Sequence, residues 1–177
     1  MSLASLGDVL LYVVLPVSAA AFGVGFAWVG VLLAANRMTR IVLYGGVAAF
    51  GEAVGSRVLA IAAAVAAAAS TFILWAGDGG PVLLGARILW GLAFAGLSLS
   101  ALAYAVADRK RAGSKVGVSR AIHQIGPALS LSVGAWLAGV LGPREVFLVL
   151  GLVSLLAIPL AFALPRDDVQ ANKEKSR

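Results

Sequence analysis

Residues 58–76 read VLAIAAAVAAAASTFILWA, nineteen residues without a single charged side chain. A helix needs about 20 consecutive apolar residues to cross the hydrocarbon core of a bilayer. The whole 177-residue chain shares this character, since 61% of its residues are hydrophobic and only 12% are charged. Soluble domains are roughly 45–50% apolar and about 25% charged. The stretch therefore predicts a transmembrane helix in an integral membrane protein.

Five further apolar stretches flank this one, separated by glycines, prolines and charged residues. The beginning of the chain lacks the basic region and cleavage site of a signal peptide and is interpreted as part of the first span. We predict one all-α transmembrane domain, residues 1–165, and a polar cytoplasmic tail, residues 166–177. The six predicted spans lie at about 4–23, 27–51, 58–76, 81–107, 117–141 and 146–164.

Lysines and arginines are distributed unevenly over this six-span arrangement. The outer face receives only Arg144. The positive-inside rule makes the basic face cytoplasmic. We therefore expect a multi-pass protein of the plasma (bacterial inner) membrane with both termini in the cytoplasm, and the net charge of +6 requires no nucleic acid. The basic face carries Arg57, Arg109, Lys110, Arg111, Lys115, Arg120, Arg166, Lys173, Lys175 and Arg177.

Three arginines fall inside predicted spans: Arg37 and Arg40 in the second and Arg87 in the fourth. An arginine at the centre of a helix costs about 2.5–3.5 kcal/mol on insertion scales, so each should face a cavity or a partner. For Arg87, snorkelling toward the outer interface is the alternative. Asp8 and Glu52 are interpreted as helix-end residues, which leaves no acid deep in any span. We therefore expect an uncompensated positive cavity.

An anionic substrate is the natural counter-charge for such a cavity, because the guanidinium fork suits carboxylate or phosphate. Backbone carbonyls, water or a partner chain's acid are the alternatives. We expect one path with Arg87 above and His123 below the two arginines of the second span. His123 is either a proton carrier or a hydrogen-bonded packing residue. The candidate binding residues are Asn36, Arg37, Arg40, Tyr44, Arg87, His123 and Gln124.

Polar residues thus concentrate on the second, fourth and fifth spans, whereas the third and sixth suit lipid or plain packing. A faint internal repeat relates the two halves of the chain. Gly55-Ser56-Arg57 follows the second span as Gly142-Pro143-Arg144 follows the fifth. At the same offset, Asn36-Arg37 corresponds to His123-Gln124. This pattern predicts two three-helix repeats of opposite orientation.

Three short motifs, in this order, resemble one half of a major facilitator superfamily transporter. Glu52, Gly55 and Arg57 are similar to the family's acidic, glycine and basic residues after helix 2, with a serine where the first arginine belongs. Arg87-Ile88-Leu89-Trp90-Gly91 is similar to the family's Arg-x-x-Gln-Gly motif, with tryptophan in place of glutamine. Gly126-Pro127 is similar to the kink motif of the antiporters, without its following glycine pair.

The resemblance implies that spans 1, 2, 4 and 5 surround a central path or contact another half, with spans 3 and 6 outside. The family's full unit has twelve helices in two halves. A lone half would expose its polar groups to lipid, where unsatisfied groups cost several kcal/mol each. We therefore expect a homodimer or a complementary six-helix half. Small residues at 126, 130, 134 and 138 favour an interface through spans 2 and 5, with packing inside one subunit as the alternative.

The expected function is that of a half-size secondary transporter, which dimerises and moves a small organic anion or amphiphile by alternating access. The alternatives are a non-transporting membrane assembly subunit and a dimeric anion channel. The chain has no cysteine, a single histidine and no hydrolase, kinase or zinc-protease motif. No enzymatic activity, cofactor or metal is therefore expected.

Overall fold

The chain forms a bundle of helices joined by short turns. The computed structural model describes residues 3–106 and 112–165. The basic stretch 109–111 and the tail 166–177, on which part of the predicted orientation rests, lie outside the described residues. Glycines with positive φ stand at four turns, and few other residues adopt that conformation. They are Gly23, Gly55, Gly79 and Gly142.

Every regular element in the described part of the chain is helical, so the all-α prediction is confirmed. Five segments are long and apolar enough to cross a membrane, and α1 is a shorter apolar helix of 12 residues. The inverted relation of the two three-helix halves stays a prediction. The elements are α1 (Leu6–Val17) with a 3-10 turn (Ala19–Phe22), α2 (Phe26–Val54), α3 (Ser56–Ala76), α4 (Gly80–Val106), α5 (Ala112–Leu129) with a π-helical turn (Ser130–Gly134), α6 (Ala135–Leu141), α7 (Glu145–Leu155) and α8 (Ala157–Phe162).

Helices α3 and α4 form the centre of the bundle. Each is half buried over its most apolar window, whereas that fraction is 22% for α2 and 17% for the segment 116–141. α3 packs against α4, α7 and α8, and α2 packs mainly against α4. The third span therefore packs within the bundle over half of its most apolar window, and the other half stays available to lipid. The least buried of the membrane-spanning segments are therefore α2 and the segment from α5 to α6.

Small residues bring the central helices together. The cluster between α3 and α4 contains Ala60, Ala63, Ala64 and Ala67, closed by the fully buried ring of Trp90. Without a hydrophobic driving force inside a membrane, helices associate through close van der Waals packing, which small residues permit. The alanine-rich run of residues 58–76 is therefore a packing surface as well as a membrane span.

Arg144, the single basic residue of the predicted outer face, ties three turns together. Its Nε donates to the carbonyl of Ala21 at 2.5 Å, and its Nη2 lies 2.5 Å from Oδ1 of Asp78. The guanidinium also lies over the ring of Phe22, 5.6 Å from its centroid. This contact set joins the turns that follow α1, α3 and α6. A specific structural partner thus explains the one exception to the charge asymmetry.

The stripe of small residues on the fifth segment packs inside the subunit. The hydroxyl of Ser130 donates to the carbonyl of Leu6 at 2.5 Å, and Ser130 is 2% exposed. A Cβ at Gly134 would meet Leu10 Cδ1 at 3.2 Å. Of the two alternatives for this stripe, packing inside the subunit is the one found at Ser130 and Gly134, where α1 covers it, and pairing with a second unit stays a prediction.

Candidate functional site

The polar centre of the bundle is the carboxylate of Asp8, which is 9% exposed. Its Oδ1 lies 2.5 Å from Nη1 of Arg87 and accepts a hydrogen bond from Nδ2 of Asn36 at 2.9 Å. Its Oδ2 lies 3.6 Å from Nη2 of Arg40. One acid on α1 thus joins α2 and α4. We call these four residues the Asp8 cluster.

The position of Asp8 corrects the prediction that no acid is deep within the spans. α1 has 12 residues, whereas α2 and α4 have 29 and 27. The first turn of the short helix therefore meets the middle of its long neighbours. Fourteen residues separate Asp8 from Phe22, roughly 20 Å at the rise of a helix. The predicted cavity of three uncompensated arginines is accordingly wrong, since two of the three pair with this acid.

Arg87 is 0% exposed, and its N–H groups donate hydrogen bonds to acceptors inside the bundle. Besides Asp8, its Nε donates to the carbonyl of Leu32 at 3.1 Å and its Nη2 donates to the hydroxyl of Tyr12 at 3.3 Å. This burial excludes the snorkelling alternative. Removing the partner of a buried charge is strongly destabilising, so this pair holds α1 and α4 together.

Glycine lets α2 approach α4 at the same level. A Cβ at Gly91 would meet Cβ of Thr39 at 2.8 Å and the carbonyl oxygen of Asn36 at 3.0 Å. The glycine of the predicted Arg-x-x-Gln-Gly motif is therefore a close-approach position beside the Asp8 cluster. Trp90, which replaces the motif's glutamine, faces the alanine cluster of α3 instead.

Arg40 connects the cluster to the inner part of the bundle. Its Nε donates to Oδ1 of Asn36 at 2.9 Å, and its guanidinium carbon lies 3.5 Å from the ring centroid of Phe94. The imidazole of His123 lies beside the same ring, with the two ring centroids 6.0 Å apart. A continuous line of contacts therefore runs from Asp8 through Arg40 and Phe94 to His123.

Arg37 differs from the other two arginines because it is exposed. In the described part of the chain, its guanidinium carbon lies 5.8 Å from the ring centroid of Tyr12. Tyr12 thus lies between the buried guanidinium of Arg87 and the exposed one of Arg37. Together, the Asp8 cluster and the neighbouring Arg37 contain three guanidinium groups and one carboxylate.

An open pocket of about 300 Å³ lies between α2, α4 and α5, on the predicted inner side. Tyr44 and His123 line it, together with residues that were not among the predicted binding residues. Gln124 is exposed and is not among the lining residues. The structure therefore brings Asn36, Arg40 and Arg87 together around Asp8, links His123 through Phe94, and leaves Gln124 aside.

The motif residues lie at helix ends and at an irregular turn. Glu52 is exposed in the last turn of α2, and Nη2 of Arg57 donates to the carbonyl of Phe162 at 2.6 Å, which ties α3 to α8. Gly55 has φ 89° between α2 and α3. Pro127 lies three residues before the π-helical turn Ser130–Gly134, and a proline removes one backbone donor from the helix. The fifth segment is therefore regular only in parts.

Asp8 and Tyr12 are the functional candidates that the sequence interpretation missed. Asp8 is the only acidic residue inside any of the six predicted spans, and Tyr12 follows it at i+4 on the same helix face. The need to neutralise buried arginines was the signal that could have found it, because ionisable residues within a bilayer pair with one another.

Charged groups inside a membrane are expensive, and they mark substrate or ion pathways. An apolar helical bundle with such a cluster beside an open pocket is therefore a membrane transport protein in its class. The family model described as Major Facilitator Superfamily matches residues 1–177, and the chain belongs to that family. Its members are secondary transporters and not enzymes, in line with the predicted class. No curated protein matches the chain.

Proposed function

We propose that this chain is one half of a secondary transporter, which pairs with a second six-helix unit and moves a small organic anion or amphiphile by alternating access. The observation that carries the proposal is the excess of positive charge at the Asp8 cluster. Arg87 and Arg40 share one carboxylate, whereas Arg37 is exposed beside Tyr12. An anion is the counter-charge that a guanidinium fork binds best.

The exposed surfaces support pairing with a second unit. The least buried segments of the bundle are α2 and residues 116–141. Arg37 and Tyr44 lie exposed on α2. A guanidinium facing lipid is costly, so a second copy or a complementary half would cover this side and enclose an aqueous path. The pairing surface we propose lies on α2 and α5, outside the stripe that α1 already covers.

The proposed orientation places both termini in the cytoplasm of a bacterial inner membrane, as the charge asymmetry indicates. Single cysteines at Ser114 and Asp78 then lie on opposite sides of the membrane. An impermeant thiol reagent added outside intact cells should label the second and not the first. Labelling of both from outside would contradict the six-span orientation.

Flux into proteoliposomes tests the role of Arg37. A panel of small carboxylates and sulfonates identifies a transported anion, whose uptake is then compared between variants. Arg37→Gln should abolish uptake, and Arg37→Lys should stay impaired because a single ammonium cannot replace the planar fork. Arg144→Gln, which removes an arginine from the outer turns of the bundle, is the matched control. Uptake by Arg37→Gln at the unmutated rate would refute the anion proposal.

The same assay separates the two alternatives. A membrane assembly subunit would show no flux of any anion in pure liposomes. A dimeric channel would show flux that neither saturates nor supports counterflow. Saturable uptake accelerated by the same anion on the opposite side is the signature of alternating access.

A further inference from the structure

The pocket on the predicted inner side of the bundle is separate from the Asp8 cluster and has a chemistry of its own. It measures about 300 Å³, at the small end of ligand pockets, which run from roughly 300 to 1,000 Å³. Among the residues that the structure describes, its polar side chains come from three helices and include no carboxylate. The pocket is lined by Tyr44, Phe94, Ser98, Ala101, Leu102, Ala105, Val116, Ser119, Arg120 and His123.

Two aromatic rings form flat apolar walls. Phe94 is held in place from outside the pocket, because the guanidinium of Arg40 stacks 3.5 Å from its ring centroid. The imidazole of His123 lies beside the same ring, with its plane tilted by 54°. Tyr44 adds a second ring from α2. Offset or edge-on contact between rings stabilises aromatic pairs beyond the area they bury, so these walls favour a planar aromatic ligand.

One guanidinium group and two serine hydroxyl groups are the contacts that suit an anion. Arg120 is exposed, and no acidic partner is found for it among the residues that the structure describes. Ser119 precedes it on α5, and Ser98 faces the pocket from α4. A guanidinium with neighbouring hydroxyl donors matches the geometry of a carboxylate. A cationic ligand would meet the positive charge of Arg120, and no described lining residue carries a carboxylate to offset the repulsion.

We propose that this pocket binds a small aromatic carboxylate, with its ring between Phe94 and Tyr44 and its carboxylate on Arg120, Ser119 and Ser98. The proposal rests on the proposed function, since it names the substrate class of the same transporter. Phe94 forms the wall between the pocket and Arg40. A bound anion thus has its next guanidinium directly behind that ring, on the line of contacts that leads to Asp8.

Ligand-observed NMR on the purified protein in phosphatidylcholine nanodiscs tests the pocket without requiring transport. The probe is benzoate. The matched probes are cyclohexanecarboxylate, which keeps the charge without the flat ring, and benzyl alcohol, which keeps the ring without the charge. Benzoate should bind saturably and about tenfold or more tightly than either, a difference of about 1.4 kcal/mol per factor of ten. Equal binding of benzoate and cyclohexanecarboxylate, or no saturable benzoate binding, overturns the proposal.

Substitutions of pocket residues test whether benzoate binds at this site. Arg120→Gln should weaken it about tenfold or more by removing the carboxylate contact. Ser98→Leu should weaken it as much by filling the pocket, without touching the cation that holds Phe94. Arg144→Gln, on the opposite end of the bundle, should stay within about twofold of the unmutated protein. Unchanged affinity in both pocket variants would overturn the assignment.

A phospholipid headgroup presents the same anionic chemistry to Arg120 as a free carboxylate does. Repeating the titration in nanodiscs that contain phosphatidylglycerol distinguishes the two sources. Benzoate affinity that changes by less than about threefold supports a site for the free anion, whereas loss of binding shows that lipid occupies it. If benzoate binds but is not taken up by proteoliposomes, the proposed transport is refuted and the binding site in the pocket stands. If anion uptake is the same in Arg120→Gln and Ser98→Leu as in the unmutated protein, the binding site is refuted and the proposed transport stands.

Discussion

Arg87 and Arg37 are the same residue type in membrane-spanning helices, yet their surroundings are opposite. Arg87 is 0% exposed and contacts a carboxylate, a backbone carbonyl and a phenol oxygen. Arg37 is exposed and faces the ring of Tyr12. The difference shows that an arginine inside a span can serve either of two roles: a structural role in a buried ion pair, or a binding role in which its guanidinium stays accessible to a ligand. Arg87 stabilises the bundle through Asp8, and Arg37 is the better candidate for a substrate.

Replacing Asp8 should break this comparison with the largest effect. Asp8→Asn leaves the guanidinium of Arg87 buried without its counter-charge, which costs about 3–5 kcal/mol when one partner of a buried pair is lost. We expect a large loss of thermal stability in detergent, measured by the unfolding midpoint. Asp78→Asn, at a residue whose side chain is 73% exposed, is the matched control and should change little.

Asp8→Asn combined with Arg87→Met should recover much of that loss, because the unpaired charge is then gone as well. Equal midpoints for Asp8→Asn and the unmutated protein would show that the buried pair does not stabilise the bundle.

Replacing Gly134 tests which side of the fifth segment is covered. Gly134→Leu drives a side chain into Leu10 of α1, and overpacking costs about 1–3 kcal/mol. The unfolding midpoint should fall. Gly139→Leu is the control, because a Cβ there has nothing within 4 Å. If the unmutated protein is a dimer by native mass spectrometry and the Gly134→Leu variant is a monomer of unchanged stability, the small-residue stripe lies in the interface between two subunits.

Loss of the ion pair between Arg144 and Asp78 should lower the stability of the protein least. Its side chain is 23% exposed and its partner Asp78 is 73% exposed, and such surface pairs contribute about 0.2–1 kcal/mol. A double-mutant cycle of Arg144→Gln and Asp78→Asn, followed by thermal unfolding, measures the coupling. A coupling near that of the Asp8 pair would mean that this ion pair is as important as the buried cluster.

Much of the architecture could be read from composition and turn residues. Glycines at positions 23, 55, 79 and 142 stand where helices end, because positive φ excludes most other residues. The concentration of polar groups on three spans also led to Arg40, Tyr44, Arg87 and His123, which now lie at or beside the Asp8 cluster and the inner pocket. These features are local, so the sequence carries them directly.

Contacts between distant segments could not be read in the same way. By sequence Asp8 is a helix-end residue, since it lies in the first turn of α1. The packing of this short helix against the longer α2 and α4 brings it to Arg87, 79 residues along the chain. The stripe through Gly134 has the spacing of a helix interface, but spacing does not say which helix will cover it.

The sequence by itself determined that the chain is a six-segment membrane bundle with arginines inside it, because apolar length, turn glycines and charge are properties of consecutive residues. Only the tertiary structure decided which arginine is neutralised and which is left open, because that depends on which helices meet and at what height. The inner pocket has the same origin: Phe94 and Ser98 share one face of α4 as the sequence spacing requires, but Arg120 joins them only because α5 packs against α4.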